Sequence, residues 1–414
     1  METRDATIAV RLGFMPPSQA IPDADRPGLL RAGPRSSAPY GSEGIEFHTC
    51  LATDGCQDDT LRPDFLEMGF DTVDLSAFED LQRVLERVTR SGRITDEDDA
   101  AIRAALNEAT LVCGSSTVLT VDQIADEHVV MRRSGPNGMV VVGPGEAGPT
   151  LHSASTSIHA DQDVYGMPLA RHADGRSPSL LRHNSPDGRN HDSRTMIVNV
   201  WIPLHQITQP LVLADGRSID RRRHQLRYGL PTSPLLDRYE EQSIDDTWTF
   251  LHDPSQRWYL RSDMDHRTAY VFDTLSTPHG AGTLPGEALA EQCYRALEQA
   301  EAAVEAGDVT ALTEALGPAT AVEIPDDVTP ALRAAIAEMV RGGGGGSRSG
   351  GGVRRGADAW STSSSVARAW AIRTSLEVRC SSSSTTRPGR HLRSQVARSD
   401  PATRSRRDRR RMLR

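Results

Sequence analysis

Six short runs rich in Val, Ile, Trp, Tyr and Phe, at residues 129–131, 139–142, 195–202, 247–251, 258–260 and 268–273, constrain this chain more than any other feature. Clusters of Pro, Gly and Asp separate them, and no helices are signalled between them. Many short strands joined by turns predict an all-β sandwich or jelly roll.

Helical signals flank that core. Ser76 and Glu79 have capping-box spacing, and Phe78, Leu81, Leu85 and Val88 then recur at three and four, ending near Gly92. Thr95 and Asp98 open a second helix with Ile102, Leu106 and Ala109 on one face. A third stripe, Leu289, Cys293, Leu297, Ala300 and Val304, stops at Gly307. The expected order is an irregular lead-in over 1–65 with one edge strand around 6–12, a helical support region over 66–127, a β core over 128–285 and a helical insertion over 286–340. A basic Gly/Ser/Arg-rich tail fills 341–414. The fold class is mainly β with flanking helices (α+β).

Composition sharpens the functional side. All 47 basic residues are arginine, so chemistry that needs an ε-amine is excluded: Schiff-base aldolases, pyridoxal-phosphate enzymes and Walker-A nucleotide binding. From Arg341 onward 18 Arg face four acids, a net of +14, while residues 1–340 carry −23. An acidic body of that size argues against a nucleic-acid partner. The tail has the composition either of a disordered extension or of GC-rich DNA read out of frame. Five scattered cysteines without a CxxC give neither a disulfide framework nor a zinc ribbon, and no apolar run reaches membrane-spanning length. A soluble, cytoplasmic protein with no membrane association is expected.

The residues that carry chemistry are His159, Asp161 and His279. A histidine and an acid two apart on a strand share a face. A second histidine from a distant strand then completes a two-His-one-carboxylate facial triad, which leaves positions open on Fe(II) for a co-substrate and O2. A second pair, His172 and Asp174, sits in a loop-like context, whereas His159 follows Thr156-Ser157-Ile158. His279 lies just beyond the buried-strand pattern 269–273, placed there by Pro278 and Gly280.

On these residues the chain resembles a known family. Leu66-Glu-Met-Gly-Phe70, Ile158-His-Ala-Asp-Gln162, Arg171, Asn199-Val-Trp-Ile-Pro-Leu204, Phe272-Asp273, Pro278-His279 and Arg373-Thr-Ser-Leu-Glu-Val-Arg379 look like the fungal AsaB-type hydroxylase/desaturase family. That family also includes the hydroxylase component of bacterial cephamycin methoxylation. The resemblance implies a double-stranded β-helix (jelly roll, cupin-like) oxygenase using Fe(II), 2-oxoglutarate and O2 to hydroxylate or desaturate a small molecule in secondary metabolism. It implies Arg373 as partner of the distal carboxylate of 2-oxoglutarate, a role suited to the bidentate guanidinium, with Arg379 on the same strand face. Arg194 and Arg267 are the alternatives nearest core strands. Tyr165 and Arg171 are expected substrate contacts; at most one of Asn199 and Trp201 is expected to face the pocket, Trp201 otherwise packing in the core. Two departures in residue type stand out, Ile202 in place of the family's arginine in Trp-Arg-Pro and Gly282 in place of an aromatic expected next to the metal; in addition, the stretch between His279 and Arg373 is far longer than one barrel turn requires. Two other readings stay open, a Zn(II) hydrolase built on the same ligands and a metal-independent barrel serving a biosynthetic partner protein, as the cephamycin relative works with one.

Overall fold

The computed structural model describes residues 6–33, 44–58, 61–114, 117–125, 129–141, 151–152, 154–167, 175–205, 208–231, 244–316, 322–344, 368 and 373–386. Arg171, His172 and Asp174 lie outside them. Two sheets face each other. In one, strands Val130–Ser134, Arg373–Thr386, Thr195–Pro203 and Thr268–Asp273 are neighbours in that order. In the other the order is His159–Ala160, His279–Ala281, Leu211–Ala214 and Trp258–Leu260. The chain passes from sheet to sheet along this series, staying in one sheet only between Leu211–Ala214 and Trp258–Leu260. This is the expected double-stranded β-helix.

Period-two alternation explains how each strand serves two cores. On Thr195–Pro203, Met196, Val198, Val200 and Ile202 face the support helices, whereas Asn199 and Trp201 point between the sheets. Both faces are covered, so the strand reads as a continuous buried run. Helices Glu79–Ser91 and Asp96–Leu106 close the outer face through Leu81, Val84, Leu85, Val88, Ile102 and Leu106. The Thr95 capping box forms as expected. The one at Ser76 does not: Asp74 accepts from the Ser76 backbone, and the helix starts at Glu79 with Phe78 as its N-cap.

Four elements differ from expectation. The lead-in 1–65 is not irregular, because Thr7–Phe14 and Glu46–Asp54 pair over eight residues each and extend the larger sheet. The support region 66–127 holds strands Phe70–Asp74, Thr110–Cys113 and Thr117–Ile124 besides its helices. Around residues 136–141 a 3-10 turn replaces the expected strand. The tail supplies a central strand, Arg373–Thr386, which pairs with Thr195–Pro203 on one side and with Val130–Ser134 and Thr117–Ile124 on the other. Helices Glu287–Ala306, Val309–Leu316 and Pro330–Gly344 form the insertion; Ala290, Cys293, Leu297, Leu332 and Ile336 pack on the outer face of the larger sheet against Val10, Leu12 and Trp258.

Leu376, Val378 and Cys380 bury their side chains against the support helices. Burying a residue of the size of Leu or Val contributes about 1.5–3 kcal/mol, a large share of the roughly 5–15 kcal/mol that stabilises a domain. A chain ending at residue 372 is expected to show no cooperative thermal transition by circular dichroism. A transition near that of the full chain would contradict the central position of the strand.

Candidate metal centre

Antiparallel pairing sets His159 directly opposite His279 on adjacent short strands. Their rings lie 4.4 Å apart between centroids. Asp161 follows the first strand and places Oδ1 3.5 Å from His159 Nε2 and 3.6 Å from His279 Nε2. The three ligand atoms lie within 4.8 Å of one another. Each imidazole is oriented from behind: Nδ1 of His159 donates to the Ser157 carbonyl and Nδ1 of His279 to the Thr277 carbonyl, both at 2.9 Å. That tautomer leaves Nε2 as the ligating atom on both rings.

The N-terminal strand pins this arrangement. Gly13 bridges Ser157 and Arg11 bridges Thr283, so one strand ties down the flanks of both histidine strands. Position 13 has no room for a side chain, since a Cβ there would stand 2.7 Å from the Thr156 carbonyl oxygen and from Ile45. From the same segment Arg26 reaches Asp163, two residues beyond Asp161 and fully buried, at 2.5 Å.

Asp161 is held from the opposite sheet. Asn199 Nδ2 donates to its Oδ2 at 3.3 Å, and Arg379 Nη2 lies 3.6 Å from the same oxygen. Asn199 and Arg379 are themselves register partners. Burial works to raise the Asp161 pKa, but His279, the nearby His159 and Arg379 together hold the carboxyl well below its usual range. Burial and the neighbouring His279 push His159 down; His279 is raised against its own burial by Asp161. The cluster is thus an ionised carboxylate between two imidazoles, of which His159 is the readily neutral one. This donor set and its outer partners fit a divalent metal held on one face.

A cavity of about 20 Å³ adjoins the cluster, bordered by Arg132, Ser155, Leu211, Ala281 and Glu377. It is wide enough for a water-sized group. Arg132 and Glu377 form an ion pair there at 3.1 Å. Glu377 belongs to the motif 373–379, whereas Arg132 was not signalled by the sequence, because nothing in a run such as Met-Arg-Arg-Ser marks one arginine as inward-facing.

The remaining expected site residues fall in different places. Trp201 is fully buried beside Tyr270, Phe272 and Leu213 and is a core residue rather than a substrate contact. The expectation that Asn199 and Trp201 take opposite faces fails, since residues two apart share one. Tyr165 stacks under the Arg26 guanidinium and edges His183, away from the cavity lining, because the chain turns at Asp163–Gly166. Arg194 is exposed at the far end of its strand, where its carbonyl accepts from Ser384. Arg267 is exposed and pairs with Asp265. Arg373 opposes Ser134 on the central strand. The two departures also resolve. Ile202 points outward into the helix-side core, and a Cβ at Gly282 would strike Val10 and Val212, so neither position faces the metal ligands. The aromatic neighbour of the cluster is Phe272, 4.4 Å from the His279 ring.

A family profile described as "Oxidoreductase/YMDC permease-like domain" matches residues 101–305, just under half of the chain. No curated protein matches. Among solved structures, the iron and alpha-ketoglutarate-dependent endoperoxidase NvfI is similar with a TM-score of 0.46 and 13% identity, over 92% of this chain and 99% of that one. The same enzyme in a different conformation gives 0.46 and 14%, over 93% and 99%. Likeness of this degree leaves function to be argued from the side chains.

His159→Ala and His279→Ala are each expected to abolish uptake of one equivalent of Fe(II) or Mn(II) in anaerobic equilibrium dialysis, and Asn199→Ala to weaken it about 10–100-fold. Retention of one equivalent by folded His159→Ala would remove the cluster from consideration.

Proposed function

We propose that the protein is an Fe(II)- and 2-oxoglutarate-dependent oxygenase that hydroxylates or desaturates a small molecule. The observation that carries this reading is the His159–Asp161–His279 cluster, held inside a double-stranded β-helix and itself lining a small cavity. Three protein ligands on one face suit Fe(II), which keeps positions for a chelating co-substrate and O2. O2 would be the oxidant, with bound iron and the electrons of 2-oxoglutarate, which leaves as succinate and CO2, supplying the redox chemistry that the chain's own side chains lack.

The chain's contribution is positioning. Ser157 and Thr277 carbonyls fix both imidazoles, and Asn199 and Arg379 fix the outer oxygen of Asp161. We assign 2-oxoglutarate recognition to guanidiniums of the Val130–Ser134 and Arg373–Thr386 strands. Arg373 and Arg379 are the candidates by motif, and Arg132, opposite Ser375 and bordering the cavity, joins them. Arg194 and Arg267 are set aside on position. The proposed relation to the AsaB-type family rests on the motifs in the 66–379 span. The zinc-hydrolase alternative needs a carboxylate base near the metal beyond Asp161; Glu377, the other acid bordering the cavity, is paired with Arg132 and would have to leave it, as Arg132 would to take a co-substrate. Among the described residues no helix is long and apolar enough to cross a membrane.

Anaerobic addition of 2-oxoglutarate to the Fe(II)-loaded protein is expected to produce a weak visible charge-transfer band, and admission of O2 to yield succinate even without the true substrate. Folded, iron-loaded protein that gives neither band nor succinate would contradict the proposal.

A further inference from the structure

Two adjoining cavities lie apart from the metal cluster, of about 490 and 230 Å³. Both are bordered by Arg189, Arg217 and Arg221, and the first also by Arg222, the second by Arg182. Arg217 is neutralised by a two-pronged pair with Asp215. Arg221 is not. It is 8% exposed, and its guanidinium reaches only neutral acceptors, Gln225 Oε1 and the Ser276 carbonyl, both at 2.9 Å. Its Nε is buried with no hydrogen-bond partner. Arg182 likewise donates to two backbone carbonyls, those of His191 and Leu66.

A buried guanidinium without an anion is costly, and a lone unpartnered N–H adds to that cost. Burial lowers the Arg221 pKa to about 10 against the opposing influence of Asp273. The nearby acids offset only part of it. Asp273 borders the smaller cavity and, although burial raises it to about 6, is ionised at neutral pH; it makes no direct hydrogen bond to Arg221, and its carboxylate accepts from the Leu275 backbone, while Glu67, Asp187 and Asp220 also border the cavities. His191 on the same wall is pushed down first by burial and then by Arg182 and Arg189, with Glu67 opposing.

We propose that this basin is a second ligand site, which binds a small molecule through a carboxylate or phosphate held by Arg221 and Arg189. The planar fork of arginine matches either oxyanion. Thr277, whose carbonyl orients His279, borders the smaller cavity, so the two sites share a wall. That the occupant is the acidic end of the oxygenase substrate rests on the reading above; the site itself does not.

Calorimetric titration of metal-free protein with inorganic phosphate and, separately, malonate tests this. One saturable equivalent is expected for at least one probe, and the tighter probe tells a phosphate from a carboxylate ligand. Arg221→Gln should weaken binding at least 10-fold and the exposed Arg189→Gln about 3-fold or more, while His159→Ala should leave it unchanged. Non-saturating uptake, meaning an adventitious ion only, would overturn the site, as would unchanged affinity in folded Arg221→Gln. Should Arg221→Gln fail to fold, unchanged affinity in Arg189→Gln combined with Arg222→Gln decides against it.

Discussion

The candidate metal centre depends on one strand pairing, that of His159 with His279. The two strands are two and three residues long, too short to hold a register alone. They keep it because each has a second partner, Ile244–Phe250 for the first and Leu211–Ala214 for the second. The N-terminal strand then bridges the flanks of both through Gly13 and Arg11. A slip of one residue would turn a ligand imidazole out of the barrel. The segment that composition marks as an irregular lead-in is therefore part of what fixes the site.

The opposite sheet supplies the electrostatics. Asn199 and Arg379 face each other across paired strands and converge on one oxygen of Asp161. A desolvated carboxylate is stable as an anion only with such partners. Because Arg379 belongs to the strand Arg373–Thr386, the C-terminal part of the chain completes both the sheet and the grip on Asp161, the acid of the candidate metal centre. The 93 residues between His279 and Arg373 contain the insertion helices, which cover the outer face of the larger sheet.

Much of this was legible in the sequence where chemistry and pattern coincide. The strands at 195–203, 258–260 and 268–273 carry β-branched and aromatic runs between turn residues, and they form nearly as read. His159, Asp161 and His279 announce themselves through residue type, spacing and a following Pro-His-Gly. What was hidden is tertiary. Glu46–Asp54 and Arg373–Thr386 lie in segments whose polar composition suggests no core, and only pairing with neighbours makes them strands. Trp201 and Tyr165 have the chemistry of substrate contacts, but packing sends one into the core and a tight turn sends the other to Arg26. Arg221 carried no sequence signal, since burial among neutral acceptors is a property of the fold.

The most direct test of the central claim is X-ray absorption at the iron edge of the anaerobically Fe(II)-loaded protein. The account predicts first-shell scattering from nitrogen and oxygen alone, with the multiple-scattering signature of two imidazoles that falls to one in His279→Ala. An iron shell containing sulfur, or one without imidazole scattering, would contradict it.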